Sequence, residues 1–278
     1  AILHAGVINA GGFLLIRFAD VLVGAPGVMA GLVMVGGFTA LFGSVVMLTQ
    51  PAIKTSLSWS TISQMGFMIF QCGLALFPIA LLHIIAHSLY KAHAFLGSGN
   101  AVNAVTATRR PGPVAIPSLG KVLAAFGISI VIYSLIAFAY GLDNKSPQAI
   151  ALGAILIFGI AYLLAQGLAD KAPKALTQAT AGYAFLAAIG YFTLQTGAEL
   201  LLSGTLPATP VPGPLEWALL VLALVSFGLV ALTQATLPLW GSHPAMRGFR
   251  VHFSNGLYIN SLTDRLLRNW QLPRSSKA

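Results

Sequence analysis

The chain has 278 residues, 57% of them hydrophobic and only 8% charged, with a formal net charge of +9. A soluble domain carries about 25% charged residues, and a mean hydropathy of +0.84 leaves too little polar surface to coat a globule in water. The Lys and Arg residues sit in loops between apolar runs and near the C-terminal end, which is the pattern of topology signals and headgroup contacts, not of a nucleic-acid binder.

Several apolar runs approach the ~20 residues that cross ~30 Å of hydrocarbon. Backbone groups there must bond one another, so helices or a closed barrel are the options. The runs are continuous, not ten-residue alternations, which argues against a barrel. The expectation is an all-α, polytopic transmembrane helix bundle of about eight spans, near 3–19, 27–48, 55–75, 78–100, 119–141, 147–169, 175–196 and 215–239. Residues 1–240 form this bundle and 241–278 a basic amphipathic tail.

The first span opens at Ala1 with neither an initiator Met nor a basic leader, so the sequence reads as the C-terminal part of a longer protein. It carries His4 and Asn9, and Arg17 and Asp20 are spaced to pair as i and i+3. The third span begins QPAIKTSLSWSTISQMGF. Lys54 stands at its mouth, and the hydroxyls that follow, with Ser58, Thr61 and Ser63 foremost, suggest a hydrated polar seam. Interfacial snorkelling is the plainer reading of Lys54. Cys72 is the only cysteine, which excludes an internal disulfide, and a packed thiol is its expected state.

The fourth span reads FPIALLHIIAHSLYKAHAFLGSG. His83, His87 and Lys91 recur every four residues and therefore share one face of the helix. Ionisable groups inside a membrane are costly unless hydrated or paired. Imidazole can accept a proton on one nitrogen while donating from the other, and an amine in low dielectric releases its proton more readily. The column suits proton relay. Structural packing is the bland alternative. A metal site lacks the carboxylate or thiolate partners that it would need on this helix. His93 lies off the stripe.

Beyond the fourth span, Lys121, Asp143, Lys145, Asp170, Lys171, Lys174, Glu199 and Glu216 flank loops, with Glu199 the one placed to turn back toward the membrane. Alternation puts Lys54, Arg109, Arg110, Lys121, Lys171, Lys174 and the tail on one side and only Arg17 and Lys145 on the other. The richer side should be cytoplasmic. The tail places Leu257, Tyr258, Leu262, Leu266 and Leu267 against Asp264, Arg265 and Arg268. That pattern suits an interfacial helix on anionic headgroups or a docking surface for a cytoplasmic partner. No dinucleotide fingerprint, phosphate loop, cysteine cluster or Ser–His–Asp arrangement is visible, so no catalytic, cofactor or metal chemistry is expected in this chain.

The segments HAGVINAGGFLLIRFAD, IKTSLSWSTISQMGFMIFQCGL and LLHIIAHSLYKAHAFLGSG resemble the antiporter-like membrane subunits, which include the large membrane subunits of respiratory complex I and the Mrp-type cation/proton antiporters. The resemblance covers roughly residues 3–100. It implies long helices around a polar midplane axis that carries protons. It sets His4 on a broken helix, Lys54 at the family's lysine, and His83, His87 and Lys91 on the connecting HxxxHxxxK helix. No GFFSKDE-like motif follows, and the ending VHFSNGLYINSLTDRLLRNW is similar to that of the DabB family, the membrane subunits of DAB-type inorganic carbon transporters. That likeness implies a proton- or Na+-conducting subunit in a bacterial inner membrane. Its partner would be a DabA-like, zinc-containing subunit resembling carbonic anhydrase, with zinc held there and not here. The alternatives are an antiporter-like subunit of NADH:quinone oxidoreductase or of an Mrp antiporter.

Overall fold

The computed structural model describes residues 2–100, 117–141, 145–169, 173–241 and 243–268. Arg109, Arg110, Asp143, Asp170, Lys171 and residues 269–278, assigned above to loops and tail, lie outside the described residues. Among the described residues the chain is helical and contains no strand.

The first predicted span is broken. It consists of α1 (Ile2–Ala5), a 3₁₀ turn (Val7–Asn9), α2 (Ala10–Arg17) and α3 (Ala19–Val23). Gly6 (φ −121°, ψ −74°) and Phe18 (φ −101°, ψ 27°) leave helical geometry at the two breaks. The Phe18 break removes the register on which an Arg17–Asp20 pair depends, and no ion pair joins the two. The seven later segments each form one helix: α4 (Pro26–Leu48), α5 (Ile53–Gly73), α6 (Phe77–Gly97), α7 (Leu119–Ala139), α8 (Pro147–Gly167), α9 (Lys174–Leu201) and α10 (Pro214–Trp240). Pro lies in the first turn of α4, α6, α8 and α10, where its missing N–H costs nothing. Ser146 caps α8, accepting from the Ala149 N–H at 3.2 Å.

Among the described residues, α4, α6, α7, α8, α9 and α10 are the six helices long and apolar enough to cross a membrane. The 21 residues of α5 match them in length, but its hydroxyl-rich first half lowers its mean hydropathy. With α5 and the broken first segment, all eight predicted segments are helical. Large apolar side chains such as Val35, Phe38, Leu135, Phe138, Val225 and Leu229 face outward, as a bilayer solvent demands. This is a multi-pass membrane protein.

The tightest packing joins α4 to α5. Gly36 of α4 meets Gly66 and Phe70 of α5, Gly43 meets Ser63, and Gly73 of α5 lies against Val33 of α4; a Cβ added at Gly66 would lie 2.6 Å from the Ala40 backbone nitrogen. Small residues of this kind let membrane helices approach backbone to backbone. A second layer, α7 to α9, packs around Val122, Tyr133, Ile160 and Phe192. The two layers meet where α9 rests on α6 and where α10 crosses α8 and α4. Cys72 is fully buried. Lys145 pairs with Glu199, whose other oxygen accepts from Gln195 Nε2 at 3.0 Å. Glu199, expected beside a loop, stands in the last turn of α9, where it meets the lysine.

After Trp240 the chain forms two short helices, α11 (Met246–Ser254) and α12 (Ile259–Arg268). They are joined by Gly256, Leu257 and Tyr258, all at positive φ (59°, 47° and 59°).

Candidate ion pathway

The His–His–Lys column stands as the four-residue spacing requires, on one face of α6. Burial deepens along it. His83 is half-buried, His87 is 4% exposed and Lys91 is fully buried. His93 is exposed on another face.

At the Phe77 end of the column, His83 Nδ1 lies 2.8 Å from Gln71 Oε1. With the amide oxygen facing the ring, Nδ1 donates and Nε2 is left as an acceptor. Phe67 flanks the same imidazole, at 6.0 Å between ring centroids. The His83 and His87 rings meet edge to face at 6.2 Å. No protein group bonds either ring nitrogen of His87. A buried imidazole normally finds partners for both. Among the described residues, His87 thus presents two buried ring nitrogens that no protein group engages.

At the other end, Lys91 Nζ donates to Ser60 Oγ at 2.8 Å and to the Leu57 carbonyl at 3.3 Å, both on α5. An ammonium has three donors, and these two bonds engage two of them. The broken first segment closes the site from the side. His4 stacks on Phe95 at 4.5 Å, one turn beyond Lys91 on α6. Asn9 Nδ2 donates to Ser88 Oγ at 2.9 Å and to the Ala5 carbonyl at 3.0 Å. His4 Nδ1 and Asn9 Oδ1 are buried without protein partners.

The expected seam divides. Ser58 bonds the Lys54 carbonyl and Thr61 the Leu57 carbonyl of their own helix, while Ser63 crosses to the Ala40 carbonyl of α4 at 2.8 Å. None of these three hydroxyls bonds the column directly, although Thr61 shares the Leu57 carbonyl with Lys91; the hydroxyl that does bond it is Ser60. Lys54 is exposed at the start of α5, about 9 Å along the helix axis from Ser60 at 1.5 Å per residue. The sequence reading missed Gln71 and Ser88. Both lie on membrane helices near the column, and a search for amides and hydroxyls flanking the histidines would have raised them. Among the described residues, no group of three His, Cys, Asp or Glu side chains could hold a metal ion.

Removing the Gln71 amide frees His83 to rotate and to change tautomer. Gln71→Leu is expected to slow ion-coupled transport severalfold while the protein still assembles, as read by flux in proteoliposomes. Unchanged flux would show that His83 needs no orienting partner.

Residues 1–112 match the family described as NADH:quinone oxidoreductase/Mrp antiporter, TM. This part of the chain is similar to that antiporter-like membrane family. The match contains the whole column, its α5 partners and the broken first segment. Over nearly its full length the chain is similar to two bacterial proteins. It is 34% identical to the probable inorganic carbon transporter subunit DabB2 of Halothiobacillus neapolitanus, over 97% of this chain and 49% of that protein. It is likewise 34% identical to the probable inorganic carbon transporter subunit DabB of Hydrogenovibrio crunogenus, over 96% of this chain and 49% of that protein. NADH-ubiquinone oxidoreductase chain 5 of Chondrus crispus is 37% identical over 38% of this chain and 16% of its own length. The chain spans about half the length of the two carbon-transporter relatives.

Proposed function

We propose that this chain is part of the membrane subunit of an energy-coupled inorganic carbon transporter. In this reading, protons, or Na+ in their place, move past Lys91 and drive CO2 hydration or bicarbonate accumulation by a cytoplasmic partner resembling carbonic anhydrase. The observation that carries the ion-conducting role is the fully buried Lys91 amine, held by Ser60 and the Leu57 carbonyl one helical turn from a histidine without protein partners. The likeness to two inorganic carbon transporter subunits across almost the whole chain supports the carbon side. The likeness to complex I chain 5 extends over only 38% of this chain, so it weighs less on what the pathway drives.

In mechanism, Lys91 alternates between ammonium and amine. Ser60 and the Leu57 carbonyl stabilise the ammonium. His87 receives or supplies the proton, and His83 passes it on through the nitrogen that Gln71 leaves free. His4 and Asn9 supply polar groups on the flank of the column. Lys54 is proposed to collect or release ions at the mouth of α5, and Ser58, Thr61 and Ser63 to hold that helix in register. We place the protein in the bacterial inner membrane with the tail and the basic loops cytoplasmic, following the Lys and Arg asymmetry. The partner in this reading is DabA-like and carries the zinc.

The test is the composition and energetics of the complex isolated with the full-length protein. A zinc-containing partner, and carbon uptake that collapses when a protonophore or a Na+ ionophore is added, are the expected results. Recovery of flavin- and iron–sulfur-containing subunits would replace this reading with the complex I one.

A further inference from the structure

The strongest feature that the pathway does not use is the pair of tail helices. Every residue of α12 is exposed. At helical spacing, Ile259, Leu262, Leu266 and Leu267 fall on one side, and Asn260, Ser261, Asp264, Arg265 and Arg268 on the other. Exposed Leu257 and Tyr258 extend the apolar side, and α11 adds exposed Phe249. The charged groups of the two helices are Arg247, Arg250, Arg265 and Arg268 against Asp264 alone, so this surface seeks anions.

Two contacts fix where that surface lies. Gln50 Nε2, just past the end of α4, donates to the Ser254 carbonyl at 3.1 Å. Gly256 presses against Trp59 in the first half of α5, so closely that a Cβ there would lie 2.9 Å from the indole ring. The tail is therefore tied to the chain just past α4 and to the first half of α5. The bilayer surface is the partner within reach, and its anionic headgroups complement the arginines.

We propose that α11 and α12 form an interfacial strap that binds anionic phospholipid headgroups with its apolar side in the acyl boundary. Through Gly256 and Trp59, the strap holds the turn of α5 that grips Lys91. Trp59 lies between Leu57 and Ser60, the two residues that bond the amine. Three consecutive residues at positive φ make the joint of the strap specific, because side chains other than Gly seldom adopt that conformation.

The test uses the full-length protein in liposomes of phosphatidylcholine, with and without phosphatidylglycerol. An environment-sensitive dye is placed by Leu266→Cys or by Asn260→Cys, native Cys72 being buried and unreactive. A blue-shifted emission at position 266 but not at 260 is expected, strengthened by phosphatidylglycerol and reversed by Arg265→Ala with Arg268→Ala. Equal, water-like emission at both positions in anionic liposomes would overturn the proposal. So would protection of position 266 only when a protein partner is added. Gly256→Ala tests the clamp. Faster amide hydrogen exchange across residues 54–60, with residues 61–73 unchanged, is the expected result, and faster exchange confined to the tail would overturn it. Neither readout measures transport, so the strap stands or falls apart from the pathway.

Discussion

Replacing Lys91 by Met is expected to abolish ion-coupled transport while leaving the protein in the membrane at normal levels. The side chain is fully buried, and Met fills a similar volume without a charge to desolvate, so the packing around it survives. Replacement by Arg is expected to fail as well. A guanidinium does not release its proton in a protein, so Lys91→Arg keeps the charge and loses the switch. Ser60→Ala is the graded version. Hydrogen bonds to charged groups contribute about 1.5–3 kcal/mol, so losing this one should slow flux about tenfold or more. Flux in proteoliposomes under an imposed proton or Na+ gradient decides between these outcomes. Normal flux in Lys91→Met would reduce the column to a packing feature.

A large effect on stability is expected at Gly66. Its Cα faces α4 so closely that a new Cβ would lie 2.6 Å from the Ala40 nitrogen and 2.9 Å from the Gly36 carbonyl. Backbone on both sides cannot step aside as a side chain would. Gly66→Ala should therefore cost toward the upper end of the ~1–3 kcal/mol typical of overpacking. Gly127→Ala on α7 is the matched control, because nothing lies within 4 Å of a Cβ there. It should gain about 0.5–1 kcal/mol from reduced backbone entropy. Thermal unfolding of the purified proteins in detergent should show opposite shifts for the same chemical change. Parallel shifts would mean that the α4–α5 seam is not a close contact.

The eight helical segments were legible in the sequence because a membrane helix is a local property, set by some twenty consecutive apolar side chains. The column on α6 was legible for the same reason, since residues four apart share a face whatever surrounds them. Which hydroxyl of α5 meets Lys91 was not. Ser58, Ser60, Thr61 and Ser63 point in different directions, and the choice among them depends on the rotation of α5 about its own axis. That rotation is fixed by Gly66 and Gly73 against α4, a contact between segments that hydropathy does not report. Gln71 was missed because it reaches His83 across the turn that joins α5 to α6. Arg17 and Asp20 misled because the i,i+3 rule assumes an unbroken helix, and Phe18 breaks it.

The glycine seam has a mechanical corollary. With α4 and α5 locked backbone to backbone, and Ser63 bolted to the Ala40 carbonyl, the two helices act as a stator. In the proposed pathway, Ser60 would then stay in place while the four-carbon stem of Lys91 moves. A gate of that kind would open and close at the speed of side-chain rotation, without waiting for a helix to tilt.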